Sequence, residues 1–528
     1  MSHTHLLNKV RRTVKLAQFC EQEKVSTSEG LERRSEATHT RRKFLSLAGA
    51  AGLAVSPMGI LANRKVPGPR IAIIGGGLAG LACADRLQFK GYLSTIYEAN
   101  TRLGGRCFSN RTLVPGMACE NGGEFIDTSH KMMLAYANEF GLARESVLKQ
   151  AGDERFYFSG QQWTEAQVVD DLRSVISAMQ VDARSISGSA TFYSKNQADI
   201  DFDNMDLASY LSSRCAGHPL IRSVLDEAYV SEYGTETSQQ SSLNFLSYMR
   251  FNHQAKFEPF GVSDERFHLK NGNDGVVSGL ESKIVGPIHR GARLTRISKN
   301  IVGEYLLYFN GSTVPEKADV VILAIPFTVL RGVQMDTEVG FSADKRRAIQ
   351  ALGYGNNAKT MVAFNSRYWA NQLGASGSAL SDLPNVQNTW EVNRANSTSR
   401  AIMTDYASGS RGAALQTNMV QAQVNAFLND LNLVFPGIKA NASKVGTNYV
   451  AHLEHWPSNP NTLGSYTSYK PGQFTGIEGL NSEASGLVKF AGEHTDSFYA
   501  YQGFMEGACQ SGLRAANEVL ADIKAGRV

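Results

Sequence analysis

Cysteine is scarce and scattered in this chain. There are six in 528 residues (Cys20, Cys83, Cys107, Cys119, Cys215 and Cys509), with no CxxC pair and no dense spacing. That argues against a disulfide framework and against a thiolate metal site, and no metal is expected. A single disulfide stays open. Proline is sparse too, 14 against 49 glycines, which suits an α/β chain with many tight turns. No internal repeat and no low-complexity tract is present. A large charge of one sign is also missing. Residues 1–62 hold ten Lys/Arg against five Asp/Glu, a net +5, while the whole chain is +4, so the remainder is near −1. No basic face for nucleic acid is expected. The length suits two to three domains, and 42% hydrophobic residues can fill sizeable cores.

What is present begins with an export address. Thr40-Arg41-Arg42-Lys43-Phe44-Leu45 resembles the twin-arginine consensus and runs into the charge-free stretch Phe44–Ala62. Rich in Ala, Gly and Leu, that stretch fits a signal core better than a stable membrane span. A basic tail with an uncleaved anchor is the alternative. Ile60 makes a poor −3 residue for cleavage after Ala62. Cys20 is expected to leave with the leader, and the protein to be periplasmic or secreted through the twin-arginine translocase.

Next comes a dinucleotide cradle. Ile71–Ile74 suit a buried parallel strand. Gly75, Gly77 and Gly80 then take the GxGxxG spacing: a tight turn, a close approach to a pyrophosphate, and close packing of the helix on the strand. The helix Leu81–Leu87 aims its N-terminal amides at the phosphates. Glu98 follows a second strand, Leu93–Tyr97, where an acid grips a ribose hydroxyl.

The wider pattern resembles the flavin amine oxidase family, which includes monoamine, polyamine and L-amino-acid oxidases. The resemblance runs from Arg70 to about Leu520. It rests on IAIIGGGLAG (Ile71–Gly80), on EANTRLGGR (Glu98–Arg106), on ENGGEFI (Glu120–Ile126), on FAGEHT (Phe490–Thr495) and on GFMEGA (Gly503–Ala508). It implies FAD as the cofactor. Arg102, Gly104, Gly105 and Arg106 would lie along the pyrophosphate, Gly122 and Gly123 beside the flavin ring, and Glu493 at the ribityl and pyrophosphate region. The helix opening at Met505 would point its dipole at the pyrimidine end.

The implied fold is α/β, a Rossmann-type FAD-binding domain interleaved with an α+β substrate domain of mixed sheet and helices. The expected parts are 1–62 signal segment; 68–130, 266–334 and 456–528 FAD-binding; 131–265 and 335–455 substrate. Helices are expected over Met132–Phe140 and Asp201–Ser213. Strands are expected over Ile284–Val302, Glu304–Phe309, Ala318–Pro326, Thr360–Phe364 and Gly446–Ala451.

Four chemical residues follow from the resemblance. Lys359, in YGNNAKTMVAF, matches the family lysine that holds a water against flavin N5. Tyr466, in HWPSNPNTLGSYTSYKPG, and Phe504 would form the walls of an aromatic cage that orients a neutral amine. Trp456 would buttress the flavin. Two departures matter. Ser465 stands where covalent members carry cysteine, so FAD should be non-covalent. The arginine that pairs with an amino-acid carboxylate is missing from Gly123-Glu124-Phe125, which favours an amine without that group. Glu124 could instead meet a distal ammonium, serve the flavin shell, or be structural.

The expectation is an exported oxidase that turns a primary or secondary amine into an imine, then aldehyde, with O2 reduced to H2O2. The flavin carries the electron chemistry. An L-amino-acid oxidase is the nearest alternative. A carotenoid-type desaturase or porphyrinogen oxidase and a catalytically silent FAD-binding protein are remoter. Oligomeric state is left open.

Overall fold

Four apolar residues with no polar partner to seek make Ile71–Ile74 a central strand, buried along its whole length. In this computed structural model it lies parallel to Val320–Leu323 on one side and Ser94–Glu98 on the other. Val488–Phe490 and Ile288–Arg290 complete a five-stranded parallel sheet. The described residues are 13–14, 16–21, 24–29, 31, 68–147, 152–250, 264–394, 398–496 and 501–528. Thr40–Leu45 and Phe44–Ala62 lie outside them.

The first strand turns into the helix Leu78–Phe89 through Gly75, whose φ of +108° favours glycine. A side chain at Gly80 would put its Cβ 2.0 Å from the Gly75 carbonyl oxygen, so the helix can approach the turn only without one. The C-terminal helix Met505–Lys524 packs along this first helix.

A second sheet has seven strands, mostly antiparallel. Its order is Ala451–His455, Ala358–Phe364, Ala401–Ala407, Asn388–Glu391, Ala375–Ser381, Asp153–Phe158 and Gln161–Trp163. Helices Glu165–Ser185, Pro219–Tyr233 and Leu243–Arg250 accompany it. Glu165–Ser185 starts at a full capping box made by Thr164 and Gln167.

Three expected elements differ. Asp201–Ser213 is two helices, Gln197–Asn204 and Leu207–Arg214, because Asp206 is extended and its carboxylate caps the Ser209 amide. Ile284–Val302 breaks at the positive-φ Gly291 into Ile288–Arg290 and Leu294–Lys299, which join different sheets. Gly446–Ala451 instead begins in the turn of a small hairpin of Lys444–Val445 with Asn448–Tyr449, and the sheet strand begins only at Ala451.

The front of the chain packs against the helices that accompany the second sheet. Residues 13–14 and 16–21 are helical, and Val14, Leu16, Ala17 and Cys20 are buried in the same core as Val168 and Leu172 of Glu165–Ser185. Arg173 bonds Glu21 at 2.6 Å, the Thr27 hydroxyl at 2.9 Å and the Val25 carbonyl at 3.2 Å. Cys20 is buried in this core.

Candidate active site

One cavity receives the end of the first strand, the Arg102–Arg106 loop, the Gly122–Phe125 segment, the middle of the seven-stranded sheet and the start of the last helix. All but one of the sixteen residues expected to bind cofactor or do chemistry line it. The exception is Gly80, whose place is the helix–strand contact described above.

At one end the walls are backbone. A Cβ added at Gly77 would meet nothing nearer than the Gly104 carbonyl oxygen at 4.0 Å, so this room is not taken by packing. Gly105 is left-handed and faces it, a Cβ there lying 3.6 Å from the Gly77 Cα. The Glu98 carboxylate accepts from the Gly76 and Asn100 amides, each at 2.7 Å. Each oxygen keeps a lone pair for a hydroxyl. Free space against the N-terminus of Leu78–Phe89, beside an anchored carboxylate, fits the ADP half of FAD. Arg102 lies 3.9 Å from the Phe108 ring centroid and donates to the Leu103 carbonyl.

Midway, Arg106 donates to the Ser465 carbonyl at 2.6 Å and to Glu493 at 2.7 Å. Glu493 also accepts from the Thr467 hydroxyl and from the Gly503 amide. Burial is the largest single influence and would raise its pKa, but the Arg106 guanidinium and the hydrogen bonds the carboxylate accepts together hold it below the usual range. Glu493 thus ties the two FAD motifs to the turn before Met505–Lys524. Trp456 is buried and donates to the Asn121 carbonyl at 2.8 Å. Ser465 donates to the Asn357 amide oxygen. A serine there has no thiol to form a thioether, and the cofactor is held non-covalently.

At the other end the walls are side chains. Lys359 sits mid-sheet and is 4% exposed. Its ammonium donates to the Glu120 carbonyl at 3.0 Å, the Gly122 carbonyl at 2.8 Å and the Glu124 carboxylate at 2.8 Å. Those are all three of its protons. The expected lysine-held water would have to displace one of these partners; here Lys359 pins the 120–124 segment. Glu124 is likewise committed, its other oxygen accepting from the Trp390 indole at 2.8 Å. Burial pushes the neighbouring Glu120 carboxyl up to about 8, so that group is neutral near pH 7.

Tyr466 and Phe504 line the same end. The Tyr466 hydroxyl donates to the Glu232 carbonyl at 2.6 Å. Phe504 packs edge-on against His130, with ring centroids 4.9 Å apart. Burial takes the His130 pKa down to about 4, so this neighbour is neutral.

Two lining aromatics of the seven-stranded sheet, Tyr406 and Trp390, fall outside the expected site residues. Tyr406 pairs across the strands with Lys359, and Trp390 pairs with Thr404, two residues before Tyr406, so the three share one face. Their rings lie 5.5 Å (Trp390) and 5.9 Å (Tyr406) from the Lys359 ammonium. No period could have marked that face, because Ala358–Phe364 and Ala401–Ala407 are buried at every position.

The profile of flavin containing amine oxidoreductases matches residues 78–520. A protein named putative L-amino-acid oxidase YobN, from Bacillus subtilis (strain 168), is 25% identical over 85% of this chain and 94% of its own. The L-amino-acid oxidase of Pseudechis australis is 21% identical over 87% and 88%. Among solved structures, the cyclohexylamine oxidase of Brevibacterium oxydans IH-35A superposes with a TM-score of 0.73 at 20% identity, covering 87% of this chain and all of that one. Putrescine oxidase bound to putrescine gives 0.70 at 18%, covering 86% and 99%. At these identities the superpositions speak for the fold.

Proposed function

The chain belongs to the flavin-containing amine oxidoreductases and is an FAD-dependent enzyme of that family, and from that premise we propose that it oxidises an amine with one amino group and an apolar substituent. The products are an imine, which water takes on to the carbonyl, and hydrogen peroxide from oxygen.

One observation carries this reading. The chamber around Lys359 is aromatic, with Phe125, Trp390, Tyr406, Tyr466 and Phe504 among its lining, and its charged pair cancels itself. Lys359 has no proton left for a substrate carboxylate, and the charge of Glu124 is already offset by the Lys359 ammonium, so a distal ammonium meets no unpaired carboxylate charge there. The lining arginines are engaged elsewhere: Arg106 with Glu493, Arg102 on Phe108, Arg293 with Asn461. A buried charge without a partner is costly, so a charged substrate tail is rejected.

Bound FAD supplies the two-electron acceptor for the amine's α-C–H. The chain supplies the rest. Tyr466 and Phe504 confine the amine, and the aromatic lining favours its neutral form. Lys359 and Glu124 hold the Glu120–Glu124 backbone in place along the cavity. Because only the free base reacts, turnover rises toward alkaline pH.

The second reading, an L-amino-acid oxidase, is favoured by the names of the sequence relatives. Anaerobic mixing of the yellow protein with monoamines, diamines and L-amino acids separates the two. Bleaching of the flavin band by apolar monoamines supports the proposal; bleaching by amino acids alone replaces it with the second reading. Export by the twin-arginine route is proposed on Thr40–Leu45 only. The packing of Val14, Leu16, Ala17 and Cys20 supports retention of these residues with the folded enzyme.

A further inference from the structure

Tyr406 is 7% exposed, and the roles proposed so far leave its hydroxyl unused. That hydroxyl donates to the Tyr466 hydroxyl at 3.1 Å, and Tyr466 in turn donates to the Glu232 carbonyl. The direction of this relay is fixed by its last member. A carbonyl oxygen can only accept, so Tyr466 must spend its one proton there and can only accept from Tyr406. The same Tyr406 is the cross-strand partner of Lys359 and lies 5.7 Å from the Trp390 ring. It therefore touches three walls of the chamber from one position in the rigid sheet.

We propose that Tyr406 is a positioning residue, whose hydroxyl holds the Tyr466 ring in the orientation that confines the amine. This rests on the reading of Tyr466 as a wall of the reaction chamber. Tyr466 itself sits on a connecting segment after Gly464, anchored to Gly355 through backbone hydrogen bonds, and its ring is only part-buried. A ring on such a segment has rotational freedom that two hydrogen bonds, one from the sheet and one to the Glu232 carbonyl, remove. The relay also survives the alkaline pH at which amines are free bases, since burial pushes the Tyr406 phenol well above its ordinary range.

The test is a double-mutant cycle on the holoenzyme, Tyr406→Phe, Tyr466→Phe and both together, with Tyr466→Ala as a reference. The readouts are the anaerobic flavin-reduction rate and the apparent amine Kd, with the flavin spectrum as a check on the fold. Tyr406→Phe should keep the spectrum and slow reduction roughly fivefold, the fold-change of one neutral hydrogen bond. The double variant should be no slower than Tyr466→Phe, because both changes release the same ring. Unchanged reduction in Tyr406→Phe, or effects that multiply in the double, overturns the inference while leaving the amine oxidase reading standing. Normal amine reduction in Tyr466→Ala overturns the underlying role of Tyr466, and this inference with it.

Discussion

At the Gly75–Glu98 end, the cavity is walled by main chain: a glycine turn, a helix N-terminus and a carboxylate fixed by two backbone amides. At the Lys359–Tyr406 end it is walled by side chains from neighbouring strands that meet the Glu120–Glu124 segment. The first end depends on what is absent from a position, namely a Cβ. The second depends on pairs, so each residue there has a fixed partner. The cofactor end thus resides in short contiguous motifs, and the proposed substrate end in contacts between residues far apart in sequence.

The sharpest way to break that contrast is a pair of glycine variants. In Gly80→Val the new Cβ lands 2.0 Å from a backbone oxygen, and the protein is expected to be insoluble or unfolded. In Gly77→Val the space is open to 4.0 Å, so a folded, colourless apoprotein is expected. Absorbance at the flavin band and circular dichroism read both. A yellow Gly77→Val protein would deny that this room belongs to the cofactor.

At the other end, Lys359→Met leaves Glu124 buried with no cation. The expected loss is about 3–5 kcal/mol of stability, read by denaturant unfolding. Lys359→Met/Glu124→Gln should recover much of it, since the uncompensated charge is gone. No recovery would mean that the lysine matters for its carbonyl bonds rather than for the pair.

Glu120, beside that pair, sets a pH dependence. Its carboxyl is neutral in the fold up to about 8 but ionises from about 4.5 when unfolded, so the unfolded state binds fewer protons and stability falls as pH rises between these values. Glu120→Gln should remove up to about 1.4 kcal/mol per pH unit of that slope. Melting curves across the window check it; parallel profiles for the two proteins would count against a neutral Glu120. The smallest effect belongs to the junction. Ser465→Ala breaks one hydrogen bond to Asn357, is expected to cost about 1 kcal/mol, and leaves FAD extractable by acid precipitation.

Legibility in the sequence followed the same divide. Gly75, Gly77, Gly80 and Glu98 could be placed on a strand, a turn and a helix because each acts through its own backbone or its immediate neighbours. The helix break at Asp206 was hidden because a capping carboxylate also occurs inside helices. Trp390 and Tyr406 gave no signal at all, since strands buried on both faces carry no alternation. Glu124 was visible as a residue, but its commitment to Lys359 and Trp390 was not.

The flavin-binding fold was legible in glycine spacing, and the cofactor with its non-covalent attachment followed from the family resemblance and the serine at 465, because these features act locally. That the chamber's charges cancel, that Tyr406 and Trp390 face it, and that Cys20 is buried emerge only from the folded chain. Those facts depend on which side chains meet across strands and helices distant in sequence, and spacing along the chain does not encode such meetings.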